Sequence, residues 1–325
     1  MTDVILHSRA SLLVTLFWFW AISLNAVAIG AAHEEPRMTP LMEAAYKGDL
    51  VAVRALVKQG VNANEKASYG ATALMMAAGG TPVARQTYEG STEVLAYLID
   101  HGAEVNAAGG NDTTALRFAI MHHNVASVQV LLDHGADVNI GRRSGQTALW
   151  EAVSRNDPGI VKLLLDHGAA VNGYADINGH TPLMVVVAQY HPFPTDVNAN
   201  TPWWEVLIKT RPLMIQNDIV DMLLAHGAET NRVDRNGETV LTLAAQGGRT
   251  SIVQPLVEHG ARINTPNRHG ITALMIAAGD GNETLVKFLL KKGADVRLKD
   301  ATGNTARQYA ERRGYTEVVR LLEGS

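Results

Sequence analysis

The chain has 325 residues, 46% hydrophobic and 18% charged, with a formal net charge of −4. That is ample for a packed core, and the mild acidity argues against a nucleic-acid footprint, which normally needs a basic domain. There is no cysteine, so disulfides, cysteine-based zinc sites and cysteine nucleophiles are excluded; the absence suits an oxidising compartment without fixing one.

Residues 1–32 stand apart from the rest. His7 and Arg9 make a weakly basic start, Ala10 to Leu24 is an uncharged apolar run, and Ala26-Val27-Ala28 or Gly30-Ala31-Ala32 offers a small-residue cleavage site. This pattern reads as a secretory signal peptide. An uncleaved membrane anchor is the alternative, because Ala10 to Ala32 just exceeds the ~20 residues that span a bilayer. Arg9 before the run and Glu34-Glu35 after it favour an inward N-terminus. A buried first helix is a third reading, but Phe17-Trp18-Phe19-Trp20 is apolar on every side, unlike a surface helix. The first two readings both leave the remainder outside the cytoplasm.

From Met38 onward a two-helix unit repeats, and its plainest copy is Gly270 to Val296. Thr272 stands where a hydroxyl caps a helix. Leu274, Ile276, Ala277 and Ala278 predict a short apolar helix, and Gly279-Asp280-Gly281-Asn282 breaks it. Glu283 opens a second helix with Leu285, Val286, Leu289 and Leu290 at helical period, and Gly293 ends it in the left-handed cap conformation. The corresponding glycines are Gly60, Gly102, Gly135, Gly168, Gly227, Gly260 and Gly293, spaced by 42, 33, 33, 59, 33 and 33 residues.

The copies lie near residues 38–64, 70–106, 112–139, 145–172, 176–231, 234–264, 267–297 and 300–325. The first lacks a preceding hairpin and begins Thr39-Pro40-Leu41, with proline at a tolerated first-turn position; it is the N-terminal cap. The second carries an insertion at 79–89. The fifth carries 25 extra residues between its helices, about 190–216. The eighth is polar at Arg307, Glu311, Arg312 and Arg313, as a terminal repeat facing water must be.

Two marks recur. One is Thr72-Ala73-Leu74-Met75, repeated as Thr114-Ala115-Leu116-Arg117, Thr147-Ala148-Leu149-Trp150, Thr181-Pro182-Leu183-Met184, Thr239-Val240-Leu241-Thr242 and Thr272-Ala273-Leu274-Met275. The other is the run from Leu131 to Asn139, LLDHGADVN, with its copies. With a period of 33 they resemble the ankyrin-repeat family, in a form that looks like its secreted or periplasmic bacterial members. The resemblance covers about Met38 to Ser325. It implies an all-α solenoid of about eight helix-turn-helix repeats with connecting β-hairpin loops, each burying its apolar face against its neighbours.

The resemblance implies a non-catalytic protein-binding module that meets a partner with its hairpin tips and the ends of its first helices. The matching tip positions are Tyr69, Asn111, Arg143, Gln146, Asn178, His180, Arg235, Glu238, Arg268 and His269, and the matching helix ends include Met121, His122, Ser154 and Arg155. Arg143, Arg235 and Arg268 share one repeat position, and Arg142 and Arg155 add to them. Such an edge suits an acidic protein surface, since arginine pairs carboxylates bidentately; the alternative is a solvated edge. The long insertion holds Tyr190, Phe193, Trp203 and Trp204, two of the five tryptophans. Aromatics of that kind anchor interfaces, and loops beyond ~12–15 residues are usually functional or disordered. The alternative is that Trp203 and Trp204 fold back on their own repeat with Val206, Leu207 and Ile208.

His101, His134, His167, His226 and His259 share a repeat position. Neighbouring repeats ~10 Å apart cannot share a metal held at ~2 Å, so these rings are read as partners of the last helical carbonyls. His122-His123 reads as a free surface pair rather than a ligand pair, and Trp150 as a cap on the inter-helix core. No metalloprotease, nucleophile-elbow or phosphate-loop motif occurs, so no cofactor, metal or catalytic residue is assigned. A membrane partner enters only through an uncleaved N-terminal segment. Two other functions stay open: an effector or inhibitor that blocks one target, and an enzyme with a site built from His122, His180 and His191.

Overall fold

The computed structural model describes residues 38–79, 89–142, 145–173, 179–188 and 217–324. The N-terminal apolar run, the insertion of repeat two and the long insertion with Trp203 and Trp204 lie outside the described residues, as do Arg143 and Asn178.

Eight helix pairs follow one another among the described residues. They are α1 (Pro40–Tyr46) and α2 (Leu50–Lys58), α3 (Ala73–Gly79) and α4 (Glu89–Asp100), α5 (Ala115–Met121) and α6 (Val125–Asp133), α7 (Ala148–Ser154) and α8 (Pro158–Asp166). Then come α9 (Pro182–Ala188) and α10 (217–225), α11 (Val240–Gln246) and α12 (Thr250–Glu258), α13 (Ala273–Gly279) and α14 (Glu283–Lys291), α15 (Ala306–Arg313) and α16 (Thr316–Glu323). None of the described helices is long and apolar enough to cross a membrane.

The odd-numbered helices start for a local reason. Thr39, Thr114, Thr147, Thr239 and Thr272 each accept a hydrogen bond from the backbone N–H three residues on, which satisfies a donor that the first turn leaves unpaired. Their buried faces are built of leucine and alanine, such as Leu74, Ala77 and Ala78 or Leu274, Ala277 and Ala278. Small side chains let helices approach closely, and these inner helices pack in one continuous row, α1 on α3 and onward to α15. Seven of the pairs, all but α9 with α10, are seen to pack together, and α2, α4, α6 and α8 form an outer row. The result is an all-helical solenoid whose core runs along its length.

Tight hairpins connect the pairs. In the described hairpins the first N–H bonds the carbonyl four residues on, as from Ala67 to Ala71 and from Asp300 to Asn304, both 2.9 Å. Successive hairpins stack backbone on backbone: a Cβ on Gly270 would meet the Ala301 nitrogen at 2.9 Å, which is why that position carries glycine.

A second device joins the repeats on the outer side. Asn64, Asn106, Asn139, Asn172, Asn231 and Asn264 each donate to the helix-ending glycine carbonyl of the next repeat, at 2.8–3.2 Å. Each also accepts a backbone N–H two residues further on in that repeat, at 2.7–2.9 Å. The Asn172 bridge spans the long insertion, reaching Gly227 and Glu229, so repeat five stacks on repeat four in the register used everywhere else.

Candidate functional site

The residues singled out from the sequence fall on two rims of the inner-helix row, the hairpin tips and the inner-helix C-termini. At the tips Tyr69 is 58% exposed with φ 61°, and Arg235, Arg268 and His269 are exposed. Arg268 Nε lies 3.1 Å from His269 Nε2. Asn111 belongs to the short 3-10 turn Gly110–Asp112.

Other tip residues are committed inside the fold. His180 pairs with Asp234 of the next hairpin at 3.2 Å, and the Asp234 side chain is almost wholly buried. Glu238 accepts from Asn267 Nδ2 of its next hairpin at 2.9 Å. The residue just before the capping threonine thus ties one hairpin to the next.

The helix-end histidines correct one expectation. His122 and His123 are not a free surface pair. His122 Nδ1 lies 2.8 Å from the Phe118 carbonyl, its ring stacks on Phe118, and it sits so close to Gly79 that a Cβ there would touch it at 3.2 Å. Burial, with Arg155 and His123 adding to it, lowers the His122 pKa below the ordinary value. His123 takes φ 54° and pairs with Asp157 of the next repeat at 3.1 Å. The five periodic histidines do what was expected: each Nδ1 meets the carbonyl four residues back at 2.7–2.9 Å. Among the described residues no group of histidines and carboxylates is arranged to hold a metal.

Repeats three and four hold a charged cluster that sequence reasoning did not assemble. Arg117 has 1% exposure. Its Nη1 donates to the Gln146 carbonyl at 2.8 Å and its Nη2 to Glu151 Oε2 at 3.3 Å. Glu151 Oε1 accepts from Arg155 Nε at 2.7 Å. The Gln146 carbonyl also accepts the Arg142 N–H at 3.0 Å. Burial pushes the Arg117 guanidinium down to about 10; Arg142 and Arg155 push the same way, and Glu151 opposes them. The Nε groups of Arg117 and Arg142 and the Trp150 indole N–H are buried without a hydrogen-bond partner among the described residues. Trp150 itself is half-buried and packs against the core, and Met121 is half-buried. The signal for this cluster was an arginine in the buried mark Thr114-Ala115-Leu116-Arg117, where the other repeats carry methionine, threonine, tryptophan or glutamine.

Beyond the inner-helix ends, four of the six described turns use a left-handed glycine, Gly48, Gly248, Gly281 and Gly314. Repeats three and four use His123 and Asn156 instead, at φ 54° and 58°. Non-glycine residues there cost roughly 1–2 kcal/mol, and such strain clusters at functional positions.

Comparison with known proteins agrees with the geometry. A profile described as ankyrin repeats in three copies matches residues 19–85, 213–300 and 266–324. Two profiles described as ankyrin repeats in many copies match 82–132 and 131–186. These ranges omit residues 187–212, most of the long insertion. Over 84 residues the chain is 37% identical to the rat (Rattus norvegicus) ankyrin repeat and SAM domain-containing protein 6, covering 26% of this chain and 8% of that protein. The crystal structure of the ankyrin repeat domain of Bcl-3, a member of the IkappaB family, superposes with a TM-score of 0.58 at 25% identity, covering 88% of this chain and all of that domain.

Proposed function

This chain belongs to the ankyrin-repeat family, and from that premise we propose that it is a non-catalytic scaffold that docks a protein partner along its hairpin tips and inner-helix ends, with the repeat-five insertion as a second contact. The fold is in general a protein-interaction module. What carries the finer reading is the contrast between the two rims. Most helix-end and inter-hairpin groups are consumed by the fold, whereas Tyr69, Arg235, Arg268 and His269 stay exposed at the tips of repeats two, six and seven. Tyrosine and arginine are residue types that anchor interfaces, and the basic lean of Arg235 and Arg268 suits an acidic protein surface.

A pull-down from the host's extracts tests this. Tyr69→Ala with Arg235→Glu is expected to lose the captured partner while the thermal melt is unchanged. Capture that survives these changes would remove the tips from the interface. The apolar run at Ala10 to Ala32 fits export of the repeats to the periplasm or beyond, by a cleaved signal or as an inner-membrane anchor. N-terminal sequencing separates the two: a start after Ala28 or Ala32 means cleavage, a membrane-bound chain retaining the run means an anchor, and a cytosolic chain retaining it would overturn both.

A further inference from the structure

We propose that the inner face at repeats three and four receives an acidic side chain, an aspartate or glutamate carboxylate presented by a protein partner, on Arg142 and Arg155 above the buried Arg117–Glu151 pair. This rests on reading the inner-helix ends as a partner face, and it moves the centre of charge from the tips to the floor between them.

The local charges do not balance. Arg117 and Arg155 both bond to Glu151, the charge of Arg142 also acts on Arg117, and among the described residues Glu151 is the one carboxylate whose charge does. Both Glu151 oxygens are already taken, one by Arg117 and one by Arg155. The backbone N–H of Arg142 donates to the same Gln146 carbonyl oxygen that the Arg117 side chain binds, which sets the two residues side by side. Like charges at short range repel most strongly where burial lowers the local dielectric. An added carboxylate would bring the surplus positive charge closer to balance, and the guanidinium edge matches its two oxygens. The site is reachable: the Arg155 side chain is 31% exposed and Arg142 is half-buried.

The fold by itself does not require these residues. At the position of Arg117 other repeats place Met42, Met75, Trp150, Met184, Thr242, Met275 and Gln308, and a buried ion pair is often no more stabilising than apolar packing. At the position of Arg142 other described hairpins place Ala67, Gly109, Asp234, Asn267 and Asp300. The side chains of the last three close their own turns by accepting two backbone N–H groups each. Arginine has no acceptor and forfeits those bonds. Among the described repeats these two positions carry a cation only here, beside the left-handed turns at His123 and Asn156.

The test is fluorescence anisotropy of the full-length protein with a labelled octa-glutamate peptide at low ionic strength, with octa-lysine and inorganic phosphate as comparisons. Octa-glutamate is expected to bind and octa-lysine not. Arg142→Gln with Arg155→Gln should weaken binding about tenfold or more, as loss of charged hydrogen bonds implies. Arg297→Gln with Arg320→Gln, two exposed arginines of repeats seven and eight, should change it by less than about twofold, because exposed charges contribute little. If the glutamine pair lowers the thermal melt, Arg142→Lys with Arg155→Lys keeps the charge but not the planar fork, and a loss of about threefold or more is expected. The proposal is overturned if octa-glutamate does not bind, if both arginine pairs weaken it equally, or if phosphate displaces it at concentrations where acetate does not. A partner captured from extracts by the Arg142→Gln, Arg155→Gln chain would remove this site while leaving the binding function in place.

Discussion

Asp300 shows how much one side chain does in a repeat. Its Oδ1 accepts the N–H groups of Thr302 and Asn304 at 2.8 Å, and its Oδ2 accepts the Tyr309 hydroxyl at 2.6 Å. The Tyr309 bond, with the backbone bond from Asn304 next, holds the carboxyl well below the usual carboxylate range. Burial, followed by the bond to Asp300, pushes the Tyr309 hydroxyl up to about 12. The signs follow from which form the fold prefers. For Asp300 it is the anion, so its contribution is complete above the unfolded pKa of ~3.9 and is lost as pH falls through the lower folded value. For Tyr309 it is the neutral phenol, so its contribution is complete below ~10 and fades as pH rises towards about 12. Tyr309→Phe is expected to lower the melting temperature at neutral pH by a few degrees. The gap from the natural chain should narrow below pH ~3 and above pH ~11. A gap that ignores pH would show that the hydroxyl serves packing alone. The same turn position is an acceptor in repeats six, seven and eight, and the sequence displays that as a periodic Asp or Asn. That Arg142 forgoes it, and that Arg117 and Glu151 meet across 34 residues, was not readable from period alone. A repeat pattern averages over copies, and this cluster exists where two copies depart from it together.

At the scale of the element, the helix pairs were legible almost residue by residue. Capping threonines, breaking glycines and apolar stripes are local signals, and the helices begin and end on them. The asparagine ladder was visible as a letter at period 33, but its role was not, because both bonds run to the next repeat. Each bridge replaces two otherwise solvated backbone groups with direct bonds, and each such bond is worth ~0.5–1.5 kcal/mol net. Asn172 is the telling member, since it joins the two halves of the array across the insertion. Asn172→Ala should cost ~1–3 kcal/mol in urea unfolding and split or broaden the transition, because nearest-neighbour coupling is what makes a solenoid unfold as one unit. A single sharp transition of unchanged midpoint would mean that the inner-helix row alone carries the coupling at that junction.

For the whole molecule, a net charge of −4 conceals its distribution: repeats three and four gather arginines on the inner face. The long insertion leaves α9 at Ala188 and rejoins the array at α10, with the inner-helix row continuing from α9 to α11. Deleting residues 190–216 is therefore expected to leave the melt of the array nearly intact, and in the pull-down it separates a partner held by the insertion from one held by the tips. What the sequence by itself determined was the repeat: its period, its all-helical character and the family, all of which follow from local capping and apolar periodicity. Which polar groups remain for a partner was decided only in the tertiary structure. His122, His123, His180 and Glu238 looked available as letters and are bonded within the stack, while Arg117 looked like one more helical residue and is the buried base of a cationic floor. The reason is physical: a side chain's hydrogen-bond partners in a solenoid sit 29 to 54 residues away on the next repeat, and only stacking brings them within 3.2 Å.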